Sequence, residues 1–500
     1  MRVTGRFLPR FLLVSGQMSE VVLALVRNII LARLLLPDQF GIAISLSVVF
    51  ATAELAADTG FDRSAVRGGA GDPELRRGTL HTLSLLRGLV IGAIVAACGP
   101  LLAHTFGAPE VGWAFALLGV GSVFRGFLNL GIKEVARQYE FWVDAVATGI
   151  LQLSWTLMVV AFWLVFDDFR AMLYGLLAGQ FLYVAASHLL SPYRWRLRFD
   201  RTIAAEVLKY GAPLVPNGIT LAAKNLGDRL VVGAYFGLSV VGLYNVVMMT
   251  ALLPRGIIQR LLNSVFMSYF VNQGVDGARE ARLYEAYAYV LSFITMGYVV
   301  GFSLFGQPVI GLVFGAEYVP DRLLVDLVAA AMVLKMMMSF CIPPALAFGQ
   351  TRLVLATSVG GILSLAFAAL GAELLGTLPA LLVGIAAGEA VIVPAIIVLT
   401  ARRFGLRKSP YVLAFLLPAV ATAAAGAAAR WVQTTPYGLP ADIAAYLALV
   451  VVMALLYVAA LRHARLTVGD VRRLVFRARR PTAVAQEAEA GQVPAPEAAR

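Results

Sequence analysis

Residues 11–60 read FLLVSGQMSEVVLALVRNIILARLLLPDQFGIAISLSVVFATAELAADTG. Two mostly apolar stretches, 11–33 and 39–60, are separated by the short turn Leu36-Pro37-Asp38. Each stretch has roughly the 20 residues that a helix needs to cross a bilayer. Because short connections join antiparallel neighbours, this stretch predicts a hairpin of two membrane helices.

The same pattern continues through most of the chain, which has 500 residues, 60% of them hydrophobic and 14% charged. Soluble domains have about 25% charged residues, so a lipid environment explains this composition better than water does. The sequence therefore predicts an all-α, polytopic membrane protein with about 14 transmembrane helices. The predicted spans are 11–33, 39–60, 80–104, 110–132, 143–166, 171–191, 211–235, 238–262, 287–314, 324–348, 353–375, 378–401, 411–431 and 442–461.

The excess of basic residues, a formal net charge of +12, follows the order of these predicted spans. If the N-terminus is cytoplasmic, 31 of the 41 Lys and Arg residues, Arg255 included, fall in cytoplasmic segments and only four in external ones. Cytoplasmic loops of membrane proteins are enriched in Lys and Arg. We therefore expect both termini in the cytoplasm, and the positive charge does not indicate nucleic-acid binding.

An internal repeat divides the predicted helices. The motif P-x5-F-G-A occurs at Pro100–Ala108 and again at Pro308–Ala316, an offset of 208 residues. Arg27 and Arg229 are related by a similar offset. Six helices per copy give both copies the same orientation, so the pattern predicts a parallel repeat about an axis along the membrane normal. The predicted domains are an N-terminal six-helix lobe at 1–200, a C-terminal six-helix lobe at 201–408, two additional helices at 409–463, and a basic segment with a disordered tail at 464–500.

Several motifs resemble those of the polysaccharide transporter, or oligosaccharide flippase, family of the multidrug/oligosaccharidyl-lipid/polysaccharide exporter superfamily. The O-antigen and exopolysaccharide flippases are the most similar type. The resemblance covers roughly residues 10–350. It rests on RNIILARLLLPDQFG at 27–41, DTGF at 58–61, GDRLVVG at 227–233, VGLY at 241–244 and FGAEY at 314–318.

This resemblance implies a flippase and not an enzyme. Its expected substrate is a polyprenyl-diphosphate-linked oligosaccharide, moved by alternating access across the bacterial cytoplasmic membrane for O-antigen or exopolysaccharide synthesis. Expected partners are membrane lipids, H⁺ or Na⁺, and polysaccharide polymerase or assembly proteins. Three alternatives stay open: a multidrug or cation antiporter of the same superfamily, a membrane-embedded polysaccharide polymerase or ligase, and a scaffold of the assembly complex.

Charged residues inside the predicted spans are the candidate site, because charge in a bilayer is costly and usually faces a cavity. A diphosphate head group is anionic, and Arg and Lys are its usual ligands. The candidate substrate-binding residues are Arg27, Lys224, Arg229 and Lys335. Structural ion pairs, such as Lys224 with Asp228, are the competing interpretation.

Carboxylates at similar depth are candidates for coupling to an ion or for gating. These are Glu20, Glu54, Asp58, Asp228 and Glu389. Arg87 and Arg125 lie near predicted helix ends and are expected to extend to the membrane interface.

Other kinds of site find no support in the sequence. The phosphate-binding motif G-x4-G-K-[ST] is missing, and the four His residues are dispersed, so neither a cofactor nor a metal is expected. Cys98 and Cys341 are predicted to be buried apolar residues.

Overall fold

A computed structural model of the protein describes residues 7–69, 71–138, 140–272, 277–338, 342, 351–403, 416–421, 423–424, 426–427 and 438–463. Within these ranges the chain is almost entirely helical and contains no strand, which confirms the predicted all-α class. The helices are α1 Phe7–Leu34, α2 Pro37–Ala56, α3 Phe61–Arg67, α4 Pro73–Thr105, α5 Gly112–Gly126, α6 Gly131–Glu134, α7 Trp142–Phe166, α8 Arg170–Leu190, α9 Arg201–Gly211, α10 Leu214–Phe236, α11 Leu238–Asn272, α12 Gly277–Val313, α13 Arg322–Met338, α14 Thr351–Leu375, α15 Leu378–Arg403 and α16 Gly438–His463.

Eight of the described helices are long and apolar enough to cross a membrane, and a pair bent by 55° at residues 109–138 gives a ninth. The protein is therefore a multi-pass membrane protein, although the predicted count of 14 spans is not confirmed. α10 coincides with a predicted span but carries Lys224, Asp228 and Arg229, so its composition alone does not mark it as one. Most of the predicted span 411–431, and all of the tail 464–500, lie outside the described residues.

The chain divides into two compact units. Unit 1 consists of residues 1–250, 307–324 and 361–388, and unit 2 of residues 251–306, 325–360 and 389–500. In unit 1, α4 packs along α5, α7 along α8, α1 along α7, and α2 along α10. The predicted lobe boundaries at 200 and 408 stay a prediction.

Local capping fixes where the helices at one end of unit 1 begin. The side chain of Asp72 accepts hydrogen bonds from the backbone N–H groups of Glu74 and Leu75, and Pro73 occupies the first turn of α4. Asp200 caps α9 in the same way through the N–H of Ile203. These side chains satisfy donors that helix geometry leaves unpaired, so short sequence signals determine both starts.

The two copies of the repeated motif have similar local structure. Pro100 lies inside α4 and Pro308 inside α12, and each helix ends within six residues of its proline. Gly107 and Gly315 then adopt positive φ angles of 72° and 130°, and a single 3₁₀ turn follows in each copy. Glycine tolerates such angles without the steric cost that a side chain would add.

One helix contact in unit 1 depends on a missing side chain. A Cβ atom built on Gly41 of α2 would lie 2.0 Å from the carbonyl oxygen of Leu238 at the start of α11. Next to it, Asp38 accepts a hydrogen bond of 2.5 Å from the hydroxyl of Ser239. Only glycine at position 41 allows the two backbones to approach this closely.

Cys98, predicted to be buried, is exposed on α4, and this prediction was wrong. Much of α4 has exposed apolar side chains, among them Leu86, Leu89 and Val90. In a membrane protein such a face contacts lipid, where a small apolar residue is stable without burial in protein. Cys341 lies outside the described residues.

Candidate functional site

A polar cavity of about 430 Å³ lies in unit 1, among helices that are otherwise apolar. Four carboxylates and three arginines line it, together with aromatic and amide side chains. The charged residues are Glu20, Glu54, Asp58, Asp62, Arg63, Arg87 and Arg125. Three of the five predicted coupling candidates, Glu20, Glu54 and Asp58, therefore line one cavity.

Arg27 lies beside this cavity and contacts two residues of the cavity wall. Its Nη1 donates a hydrogen bond of 3.1 Å to Oε1 of Gln152, and its guanidinium lies 3.6 Å from the ring centre of Trp155. Only 5% of Arg27 is exposed, and its Nε has no hydrogen-bond partner among the described residues. It forms no ion pair in this part of the chain, although Glu20 acts on it electrostatically.

Glu54 forms the centre of a second group on the cavity wall. Its Oε2 accepts from Nη2 of Arg87 at 2.8 Å and from Nη1 of Arg125 at 3.4 Å, and its Oε1 accepts from Ser122 at 2.8 Å. The expectation that Arg87 and Arg125 extend to the membrane interface stays a prediction, but it did not include their shared contact with Glu54. A buried carboxylate attracts both guanidinium groups strongly, because the attraction is little screened there.

Two further ion pairs lie beside the end of α2. Asp58 accepts from Nη2 of Arg63 at 2.9 Å and also caps the backbone N–H of Gly60. Asp62 lies 3.9 Å from the ammonium group of Lys133. α2 ends at Ala56, four residues before the predicted end, so Asp58 lies in the turn that follows the helix.

Arg229 is enclosed by protein groups. It pairs with Asp228 at 3.3 Å and donates hydrogen bonds to the Asn245 side chain and the Asn225 carbonyl. The hydroxyl of Tyr244 donates to the second oxygen of Asp228 at 2.8 Å. Arg229 and Asp228 are both less than 10% exposed. This geometry fits the structural ion pair that was the competing interpretation of Arg229.

The remaining candidates each have different neighbours. The aliphatic stem of Lys224 lies against Gly361 of α14 in unit 1. Lys335 belongs to unit 2, where its carbonyl accepts a hydrogen bond of 3.4 Å from Arg255. Glu389, also in unit 2, is 3% exposed, has no described hydrogen-bond partner for its Oε2, and acts electrostatically on Arg255. Arg255 itself was assigned to a cytoplasmic segment, but it lies inside the span Leu238–Gln259.

An ion pair holds α9 against the start of α4. Arg76 donates two hydrogen bonds of 3.0 Å to the carboxylate of Glu206. These bonds lower the pKa of Glu206 below its usual value of 4.5, although its side chain stays half exposed. Residues 191–200 connect α8 to α9 without regular secondary structure, and the backbone N–H of Arg198 donates to the carbonyl of Gly78 on α4.

Sequence reasoning missed the residues that complete the site. Gln152, Trp155 and Ser122 lie more than 65 positions from the charges that they contact. No local pattern in the sequence connects such positions. A polar glutamine within the apolar stretch 143–166 was the available signal for Gln152. In the described part of the chain, no cluster of three His, Cys, Asp or Glu residues is placed to hold a metal ion.

A family profile described as "Polysaccharide biosynthesis protein" matches residues 30–321. Among curated proteins, the chain is 22% identical to the lipopolysaccharide biosynthesis protein WzxC of Escherichia coli (strain K12). That alignment covers 316 residues, which is 59% of this chain and 60% of WzxC.

Two solved structures have a similar fold. One is the lipid II flippase MurJ in an inward closed conformation, with a TM-score of 0.70 and 12% sequence identity, covering 90% of this chain and 100% of MurJ. The other is an inward-facing multidrug resistance transporter of the MATE family, with a TM-score of 0.59 and 14% identity, covering 77% and 94% of the two chains. At these identities the similarity concerns the fold.

Proposed function

Because the chain belongs to the polysaccharide biosynthesis protein family, we propose that it is a membrane transporter of flippase type, not an enzyme, and that its substrate is a polyprenyl-diphosphate-linked oligosaccharide. In this proposal the protein moves the substrate across the bacterial cytoplasmic membrane by alternating access, with both termini cytoplasmic. The product serves O-antigen or exopolysaccharide synthesis.

The observation that carries the proposal is the polar cavity inside unit 1. Charged and amide side chains are costly within a bilayer and are retained where they line a path for a polar ligand. Its volume of about 430 Å³ falls within the range of ligand-binding pockets. Beside it, Arg27 is a buried cation without an ion-pair partner in the described residues, as expected of a group that meets an anion from outside the protein.

The roles of individual residues are part of the proposal. The proposed contacts of the diphosphate are Arg27, Lys224, Arg229 and Lys335. Arg229 is the weakest candidate among them, because it is already held in an ion pair with Asp228. Glu20 is the proposed coupling residue for H⁺ or Na⁺, because it lines the cavity, is exposed there, and forms no ion pair among the described residues.

A multidrug or cation antiporter is the second candidate. An acidic, aromatic cavity suits cationic ligands, and four carboxylates with Phe50, Phe61 and Trp155 line this one. Polysaccharide polymerases or assembly proteins remain proposed partners under the first candidate.

The test is rescue of a bacterial strain that lacks its own flippase and accumulates the lipid-linked intermediate. We expect the wild-type chain to restore surface polysaccharide, and Arg27→Ala and Lys335→Ala to abolish it while the protein stays inserted. Arg170→Ala is the control, since Arg170 pairs with Asp168 at a loop and lines no part of the cavity. Drug resistance without rescue of polysaccharide would instead favour the antiporter.

A further inference from the structure

We infer that Arg87 and Arg125 form a phosphate-binding subsite in the cavity, and that Glu54 is an internal counter-ion which the substrate phosphate displaces. The inference rests on the proposed function in taking the phosphate to be the head group of a lipid-linked substrate. The geometry itself points to the chemistry of a phosphate or diphosphate anion, whatever its source.

The first argument is the ratio of charges on Glu54. Two guanidinium groups share one carboxylate, at 2.8 Å and 3.4 Å, and this leaves one positive charge uncompensated within the group. A single arginine would neutralise Glu54. A second one brings two like charges close together in a poorly solvated site, which favours the binding of a further anion there.

The second argument is access. The side chains of Arg87 and Arg125 are 22% and 31% exposed and both line the cavity, whereas that of Glu54 is 7% exposed. Arg125 makes one polar contact in the described residues, the bond of 3.4 Å to Glu54. A guanidinium has five N–H donors, so most of those on Arg125 are available to an incoming oxyanion.

The third argument is that Glu54 is the carboxylate that holds both arginines. Asp58 is paired instead with Arg63 at 2.9 Å, and in the described residues it makes no hydrogen bond to Arg87 or Arg125. Asp62 and Glu20 act on Arg125 through their charge without a described hydrogen bond to it. An incoming phosphate therefore has to displace Glu54 from the two arginines.

Exchange of Glu54 for a phosphate has a structural consequence. Glu54 connects α2 to Arg87 on α4 and to Arg125 and Ser122 on α5. When a phosphate takes the two arginines, α2 loses its ionic contacts with both helices. A ligand shifts a conformational equilibrium by its differential affinity for the two states. Substrate binding would thus favour conformations in which α2 has moved from α4 and α5.

The experiment measures anion binding to the purified full chain in phosphatidylcholine nanodiscs by titration calorimetry. Inorganic pyrophosphate tests the anion alone, farnesyl diphosphate tests a prenyl-linked head group, and farnesol is the uncharged control. We expect Arg87→Gln and Arg125→Gln each to weaken pyrophosphate binding about tenfold, the effect of losing a charge-assisted hydrogen bond. We expect Glu54→Gln to strengthen it by about the same factor, because the internal competitor loses its charge.

Arg77→Gln is the matched control. Arg77 is on the same helix and is paired with a carboxylate, Glu134 at 2.7 Å, but it does not line the cavity. Pyrophosphate binding should be unchanged in this variant. The gain in Glu54→Gln matters most, because misfolding cannot produce tighter binding.

The inference is overturned if Glu54→Gln binds pyrophosphate no more tightly than wild type, and this includes the case in which neither protein binds it. It is also overturned if both arginine variants bind pyrophosphate like wild type. Tighter binding of farnesyl diphosphate than of pyrophosphate identifies the lipid head group as the source of the phosphate, and equal binding identifies the free anion. Polysaccharide rescue separates the two proposals. Export that persists in the arginine variants refutes only the subsite, while anion binding without any export refutes only the proposed function.

Discussion

Replacing Arg27 by Met should separate stability from transport. The substitution removes a charge-assisted hydrogen bond to Gln152, worth about 1.5–3 kcal/mol, and a cation–π contact with Trp155, worth about 0.5–2 kcal/mol. It also removes the desolvation cost of a 5% exposed cation without an ion pair in the described residues, which is several kcal/mol. The opposing contributions nearly cancel, so we expect the free energy of unfolding to change by less than about 2 kcal/mol.

Arg229→Met is the matched substitution at the corresponding position of the repeat. Here removal of the cation leaves Asp228, 7% exposed, without its ion pair, a situation that typically costs about 3–5 kcal/mol. The same chemical change is thus expected to be nearly neutral at position 27 and strongly destabilising at position 229. Denaturant or thermal unfolding of the purified variants in detergent measures this difference.

Export gives the second half of the prediction. We expect Arg27→Met to lose polysaccharide rescue at normal expression and near-normal stability, because the missing cation acts on the substrate. If Arg27→Met exports normally, Arg27 is not a substrate contact. If it unfolds as readily as Arg229→Met, Arg27 stabilises the fold and the cancellation worked out above is incorrect.

Three further outcomes are expected. Gly41→Val should destabilise the contact of α2 with α11 and reduce export, because its Cβ would lie 2.0 Å from a backbone oxygen. Gly149→Ala is the control: a Cβ there has no neighbouring atom within 4 Å, so stability and export should change little. Glu20→Gln should abolish the dependence of export on an ion gradient while leaving insertion unchanged. Uptake into inverted vesicles, measured with and without a gradient, tests this, and uptake that still depends on the gradient in the variant would contradict it. The Arg76–Glu206 pair should contribute fully to the free energy of unfolding above pH 4.5, and this contribution should be lost as the pH falls below that value, since the folded state lowers the pKa of Glu206. In Glu206→Gln, the free energy of unfolding should lack this acid-dependent decrease.

The sequence by itself determined that this protein lies in a lipid bilayer, and it determined the positions of most of its helices. Apolar stretches of about 20 residues, separated by short turns with Pro or Gly, are sufficient because a bilayer demands internal hydrogen bonding of every backbone group. Local signals also determined details such as the caps Asp72 and Asp200 and the glycines that follow both copies of the repeated motif. The intramembrane charges, too, were visible as candidates.

Only the tertiary structure decided what each charge contacts. Arg87 and Arg125 looked like interface residues, yet both bind Glu54, and Arg229 lies in a closed network while Arg27 has no ion pair in the described residues. The energy of a buried charge depends on which groups lie within a few ångströms of it, and those groups come from helices far apart in sequence. Helix formation is local and is therefore predictable from the sequence, whereas the packing that brings Gln152 to Arg27 or Ser122 to Glu54 is not.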